Sequence, residues 1–393
     1  MDSRAPNSRL EVLLKDIDLP AHAYEQAESR YKDLGRWIAR PESTLARHDA
    51  HVFVQGSFAL GTAIRPINDD DEYDLDFTCK LREGVSRDTH SQQDLKDLVG
   101  GELAAYRHAR QIDRPLQPKN RCWRLRYKDK ELPFHLDVVP GIRADDDRRR
   151  YLREQMELHG VPAALAQDIA RKALWITDQQ HRAYRTRSRD WPSSNPGGYL
   201  QWFLSRMRAP EQRGVLAEAQ IDPVPVYRSK TALQQVVQLL KRHRDIRFAS
   251  DPDVKPASIL VTTIAGQVYV HGESLTQTLR RVLLELDEFR LSGADEIRNP
   301  INPQENFADR WHRQDCLELE LKRHFHEWVE AANRDFAAFL DSPHAGRLVE
   351  MAEDHFGLKL SQDAFRGLAG VVAAPAVVRQ VHVDSAPARP WRE

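Results

Sequence analysis

The stretch YDLDFTCKL, Tyr73 to Leu81, is the feature that most constrains the chain. It alternates as a strand does, and the two-residue side-chain period puts Asp74 and Asp76 on one face with Leu75 packed behind them. Neighbouring carboxylates repel, so one of them takes up a proton unless a cation sits between them. Oxygen-only ligands suit Mg²⁺ or Mn²⁺. Whatever fold the chain adopts must therefore set this strand in a sheet and leave its acidic face open.

A third acid lies further on. RCWRLRYKDKELPFHLDVV predicts a strand from Arg121 to Tyr127, a polar turn at Lys128 to Glu131 and a strand from Phe134 to Val139, together a hairpin. Asp137 interrupts an otherwise apolar strand, where an unpaired carboxylate would be costly. Its natural use is to complete a two-metal site with Asp74 and Asp76. Upstream, Gly56 and Ser57 follow a short β-rich run, His51 to Gln55. Glycine leaves the backbone open to close approach, and the amides and hydroxyl around Ser57 can hold phosphate oxygens at a turn into a short helix. The acids Asp69 to Glu72 read as a solvated loop without a catalytic role.

The rest of the chain sets the frame. Apolar spacing from Arg9 to about Arg40 gives two helices interrupted at Pro20, and beyond Pro140 the pattern becomes mainly helical. A Trp/Pro/Gly-rich connection covers Asp190 to Gly198, and further helices fall at Lys230 to Phe248, Ala257 to Val270 and Leu317 to Leu340. The end, from Val371 to Glu393, has no helical period and reads as a loosely held tail. With 58 Lys+Arg against 59 Asp+Glu, no whole-protein field favours nucleic acid or an anionic membrane. Basic runs such as Arg148 to Arg150 and Lys241 to Arg244 read first as solvated surface. Cys79, Cys122 and Cys316 have no CxxC spacing, which argues against a disulfide framework and a structural zinc. No stretch approaches the length of a membrane span, so a soluble cytoplasmic protein is expected.

Gly56-Ser57, then Asp-Leu-Asp at 74 to 76, then Asp137 resembles the active-site signature of the polymerase-β-like nucleotidyltransferases. WPSSNPGGYLQWF (191 to 203), LQQVVQLLKRHRD (233 to 245), PASILVTTIAG (256 to 266) and NPQENFADRW (302 to 311) narrow this. Together they are similar to the bacterial cGAS/DncV-like nucleotidyltransferases, the SMODS-type cyclic oligonucleotide synthetases of CBASS anti-phage signalling.

The resemblance implies an α+β fold: a polymerase-β-like lobe with a mixed β-sheet, plus a helical lobe closing over the nucleotides. The implied divisions are 1–50 for helices bridging the lobes, 51–190 for the catalytic core, 191–345 for the helical lobe and 346–393 for a C-terminal segment ending in the tail. The enzyme would condense NTPs, ATP among them and GTP or a pyrimidine NTP as further candidates, into a cyclic di- or trinucleotide with release of pyrophosphate. Two Mg²⁺ or Mn²⁺ ions would be held by Asp74, Asp76 and Asp137. Gln55, Gly56, Ser57, Lys241 and Ser258 would contact nucleotide. From the residues alone, Lys241 reads equally as a helix-terminal cation and Ser258 as a cap. Accessory regulators or effectors are candidate partners. Control by double-stranded DNA is not expected, because three cysteines cannot build the zinc module of the animal DNA sensor. The alternative within the superfamily is an RNA-tailing or linear-oligoadenylate enzyme. Trp191, Tyr199, Trp202 and Trp311 could stack on bases, but aromatics of this size are more often core.

Overall fold

The computed structural model describes residues 4–68, 72–127, 133–208 and 229–368. Two helices lead: α1 (Arg4–Ile17) and α2 (Ala21–Ala39), separated at Pro20 as the sequence predicts. The sheet elements and the helices among them follow as β1 (Ala50–Val54), α3 (Gly56–Leu60), β2 (Tyr73–Leu81), α4 (Gln92–Ala109), β3 (Gln117–Pro118), β4 (Trp123–Tyr127) and β5 (Phe134–Arg143). Then come α5 (Asp146–Leu158), α6 (Ala163–Arg171), β6 (Leu174–Ile176), β7 (Ser193–Ser194) and α7 (Pro196–Met207). The remainder is α8 (Ala232–Arg247), α9 (Ser258–Val268), α10 (Leu275–Ser292), the small hairpin β8 (Arg298–Asn299) and β9 (Asn302–Asn306), α11 (Leu321–Asp341) and α12 (Ala345–Phe356).

Among the described residues the main sheet runs β1-β2-β5-β4-β3, with β6 on β5 and β7 on β6. It is mixed, because β2 and β5 are parallel while the other pairs are antiparallel. The fold is thus the α+β arrangement expected. β5 is long enough to pair β4 through Phe134 to Val138 and β6 through Gly141 to Arg143. The β2–β5 register sets Asp76 directly opposite Asp137, and Asp74 opposite His135.

Burial divides into two large cores. One packs α2 and α4 against the sheet through Tyr31, Leu34 and Ile38 on one element and Leu95, Val99 and Leu103 on the other. The second gathers the helices around Phe325, Trp328, Phe336 and Phe339, and α1 contributes Leu10, Leu13 and Ile17 to it. The leading helices therefore belong to different cores. Phe356 of α12 and Phe365 beyond it are fully buried in the helical core.

A second tie between the two halves comes from α8, which begins at a Thr231–Gln234 capping box. Successive turns of this helix donate to carbonyls of the end of α3 and the segment after it: Gln234 to Leu60 at 3.0 Å, Gln238 to Ala63 at 2.7 Å, Lys241 to Thr62 at 2.8 Å and Arg242 to Arg65 at 2.5 Å. This corrects the expectation of a solvated basic run: Lys241, Arg242, His243 and Arg244 are all buried.

Other departures are local. The Trp/Pro/Gly-rich connection holds β7 and the start of α7, whose Pro196 suits the first helical turn while the Asn195 side chain accepts from Gly198 N. The helix expected from Leu317 starts at Leu321, after a 3₁₀ stretch, Gln314–Leu319. The polar turn at 128–131 and the tail from 371 lie outside the described residues.

Candidate active site

At the end of β1 the Gln55 amide donates to the Asp76 carbonyl at 2.8 Å, and the Thr78 hydroxyl donates to the Gln55 side-chain oxygen at 2.7 Å. The next residue, Gly56, has φ +66°, and a Cβ there would come within 2.2 Å of Asp76 Oδ2. Glycine is required twice over, by the left-handed backbone and by the carboxylate pressed against it. Ser57, the second residue of α3, faces a cleft of about 920 Å³, which Asp74, Asp76, Lys241 and Ser258 also line. Gln55 and Asp137 do not belong to that lining.

Each carboxylate has a distinct environment. Asp74 is half exposed, and its Oδ1 lies 3.0 Å from His135 Nε2. The other ring nitrogen of His135, Nδ1, pairs with Glu72 Oε2 at 3.0 Å, and Arg126 Nε lies 3.2 Å from the same Glu72 oxygen. Glu72 is thus no solvated loop residue: it is a partly buried carboxylate that anchors a histidine beside Asp74. Asp69 to Asp71 lie outside the described residues. Asp137 is 8% exposed and is gripped by Arg124, whose Nε and terminal nitrogen donate to its two oxygens at 2.7 and 2.6 Å. Among the described residues Asp76 has no such counter-charge in contact. Burial, then the charges of Asp74 and Asp137, push its carboxyl up to about 7.

The cleft's other wall is helical. Burial, with Arg244 adding to it, pushes the Lys241 amine down to about 8. Lys241 is no helix-terminal cation, since it sits within α8 and its amine holds the Thr62 carbonyl. Ser258 is no cap either: Ala257 occupies the cap position, and the Ser258 hydroxyl accepts from Arg244 at 2.7 Å. Trp191, Tyr199, Trp202 and Trp311 are buried in the cores.

The donor set suits a hard divalent cation. Asp74 and Asp137 offer oxygens, and His135 a nitrogen, within 4.8 Å of one another. Asp76, turned against Gly56, carries the raised carboxyl that crowded acids show when no cation relieves them. Arg124, His135 and Glu72 were missing from the sequence reading. The usable signal was period two on both hairpin strands: Arg124 and Arg126 share one face of β4, and the ladder sets them against Asp137 and His135.

Residues 50–140 match the family model of the nucleotidyltransferase domain of the DncV-like cyclic GMP-AMP synthases. A c-di-GMP synthase of Roseivirga ehrenbergii is 26% identical over 333 residues, 83% of this chain and 77% of that protein. The cyclic dinucleotide synthase CdnG of Bradyrhizobium diazoefficiens is 26% identical over 410 residues, 94% of this chain and 89% of that one. The solved structure of that CdnG in complex with GTP superposes with a TM-score of 0.64 at 22% identity, covering 92% of this chain and 98% of the other. No helix among the described residues is long and apolar enough to cross a membrane. The matched nucleotidyltransferase domain and two relatives aligned along most of their lengths point one way: residues 50–140 match the DncV-like nucleotidyltransferase domain, and the chain is similar along most of its length to bacterial cyclic dinucleotide synthases.

Proposed function

We propose that this nucleotidyltransferase joins nucleoside triphosphates into a cyclic di- or trinucleotide second messenger, releasing pyrophosphate. The observation that carries this is the register that sets Asp76 opposite Asp137, with Asp74 on the same strand face and both Asp74 and Asp76 lining a cleft shared with Ser57 and Lys241. Both curated relatives are named as cyclic dinucleotide synthases. GTP is the first substrate to test, because one relative makes c-di-GMP by name and the solved CdnG holds GTP. The expectation of ATP rests on the resemblance alone.

Two Mg²⁺ or Mn²⁺ ions, when bound, would supply charge neutralisation at the reacting phosphates and a more acidic ribose hydroxyl. In this proposal Asp74, Asp76 and Asp137 would hold the ions. His135 keeps Asp74 in place through its contact with Glu72. Ser57 binds donor phosphate oxygens from the turn, and Lys241 binds them from the opposite wall after releasing the Thr62 carbonyl. Ser258 contributes from the start of α9. Gln55 acts as scaffold, its side chain committed to Thr78, and Gly56 gives Asp76 the room it occupies.

Incubation with each labelled NTP and Mg²⁺ or Mn²⁺, followed by phosphatase treatment and product sizing, tests the reaction. Phosphatase-resistant cyclic products from GTP, alone or with a second NTP, are expected. Ladders of linear oligonucleotide or extended RNA would replace the proposal with the tailing alternative.

A further inference from the structure

Arg124 is unlike the other charged groups of the site, because it occupies both oxygens of a carboxylate that the proposed chemistry needs. The β4–β5 ladder places Arg124 directly opposite Asp137, so the fork is set by strand pairing and not by a flexible loop. A bidentate guanidinium–carboxylate pair is among the stronger charge-assisted contacts, and arginine keeps its charge at every working pH. Asp137 is nearly buried, so without this partner its charge would lack compensation. Among the described residues it is Arg124 that forms the ion pair with Asp137. His135 faces Glu72 and Asp74.

We infer that Arg124 is a positioning residue that satisfies Asp137 in the nucleotide-free enzyme and makes the cation served by Asp137 enter with the nucleotide instead of ahead of it. The inference rests on the active-site assignment above. The physical argument is a competition. A divalent ion arriving alone at Asp137 meets a fixed positive charge on both oxygens, and the repulsion offsets part of its attraction to the three carboxylates. A triphosphate brings several negative charges to the same cleft and shifts the balance, so cation and nucleotide bind cooperatively and each strengthens the other by the same factor.

The test is Mn²⁺ binding, read from the electron paramagnetic resonance signal of free Mn²⁺, with and without a non-hydrolysable GTP analogue. Without nucleotide, Arg124→Gln is expected to bind Mn²⁺ roughly tenfold or more tightly than wild type, because the competing charge is gone. The strengthening of Mn²⁺ binding by the analogue should shrink in parallel. Arg124→Lys, which keeps a charge but frees one oxygen, should shift in the same direction by less, and it carries the test if the Gln variant does not fold. A folded Arg124→Gln enzyme with an unchanged or weaker isotherm, or an Arg124→Lys enzyme that binds more weakly, overturns the inference. Asp76→Asn separates this from failure of the site assignment. If Asp76→Asn weakens Mn²⁺ binding while Arg124→Gln changes nothing, only the role of Arg124 falls; if neither moves the isotherm, the carboxylate site falls with it.

Discussion

Asp76 is where burial and charge meet, and its acidity gives a test that needs no substrate. Its carboxyl is raised from an ordinary value of 3.8 to about 7 by burial first and by Asp74 and Asp137 next. An acid whose folded pKa exceeds its unfolded one favours folding while protonated. The contribution of Asp76 to metal-free stability is therefore full below about pH 4, declines as pH rises toward 7 and is absent above, a loss of at most about 4 kcal/mol. Asp76→Asn should melt higher than wild type at pH 8 without metal, and added Mg²⁺ should stabilise the wild type more than the variant. The same variant should make no product, as should Asp74→Asn. Turnover at the wild-type rate in either one would remove these residues from the site. In the proposed reaction Lys241 and Ser57 would act on binding instead. Substitution of either by alanine should raise KM for the donor nucleotide, by a few-fold to roughly a hundredfold if each contact contributes about 1 to 3 kcal/mol. Because the Lys241 amine is lowered to about 8, wild-type kcat/KM should fall above pH 8, with that limb flattened in Lys241→Ala. A limb that persists in the variant would assign it to another group.

At the scale of the element, the turn from β1 into α3 and the strand β2 act as one unit, because Gly56 has no room for a side chain against Asp76. Gly56→Ala should cost stability through its positive φ, displace the Asp76 carboxyl and weaken Mn²⁺ binding. A variant with wild-type Mn²⁺ affinity would show that Asp76 moves freely there. This unit was legible in the sequence because strict alternation marks β2 from Tyr73 to Leu81 and a glycine before a polar turn marks the close approach. The partners of the acids were not. Arg124 and His135 are single polar residues on strands, indistinguishable from solvated faces until the hairpin register pairs Arg124 with Asp137 and the parallel register pairs His135 with Asp74. β6 and β7 escaped for a different reason. Runs of three and two residues carry too little periodicity to register as strands, and they form by pairing, β6 on the end of β5 and β7 on β6. The buried basic run of α8 was also hidden, since Lys241 and Arg242 are satisfied by backbone carbonyls from distant segments, and of its members Arg244 pairs with a sequence-local acid, Asp245.

For the whole molecule, the junction of α8, α11 and α12 decides how the helical half holds together. There His243, Asp335 and His355 bring ligand atoms as close as those at the active site, within 4.8 Å of one another. Yet the Trp328 indole N–H donates to His243 Nδ1 at 3.1 Å, so the ring proton sits on Nε2, which faces Asp335 Oδ2 at 3.2 Å. That nitrogen has no lone pair left for a metal. The cluster is a buried hydrogen-bonded chain, with Arg334 donating to the other Asp335 oxygen at 3.0 Å. Burial alone would raise the Asp335 carboxyl, but the hydrogen bonds from His243 and Arg334 outweigh it and bring it from 3.8 down to about 2. A depressed carboxylate contributes stability above its unfolded pKa and loses it as pH falls through the folded value. Asp335 should therefore stabilise the fold at neutral pH by about 2 kcal/mol and lose that contribution between about pH 4 and pH 2. Asp335→Asn should lower Tm at pH 7 and flatten the acid limb of the stability curve. Stoichiometric Zn²⁺ should leave the wild-type Tm unchanged. A rise in Tm with Zn²⁺ that His355→Gln abolishes would show that the ring proton yields to a metal, and the junction would then be a metal site after all.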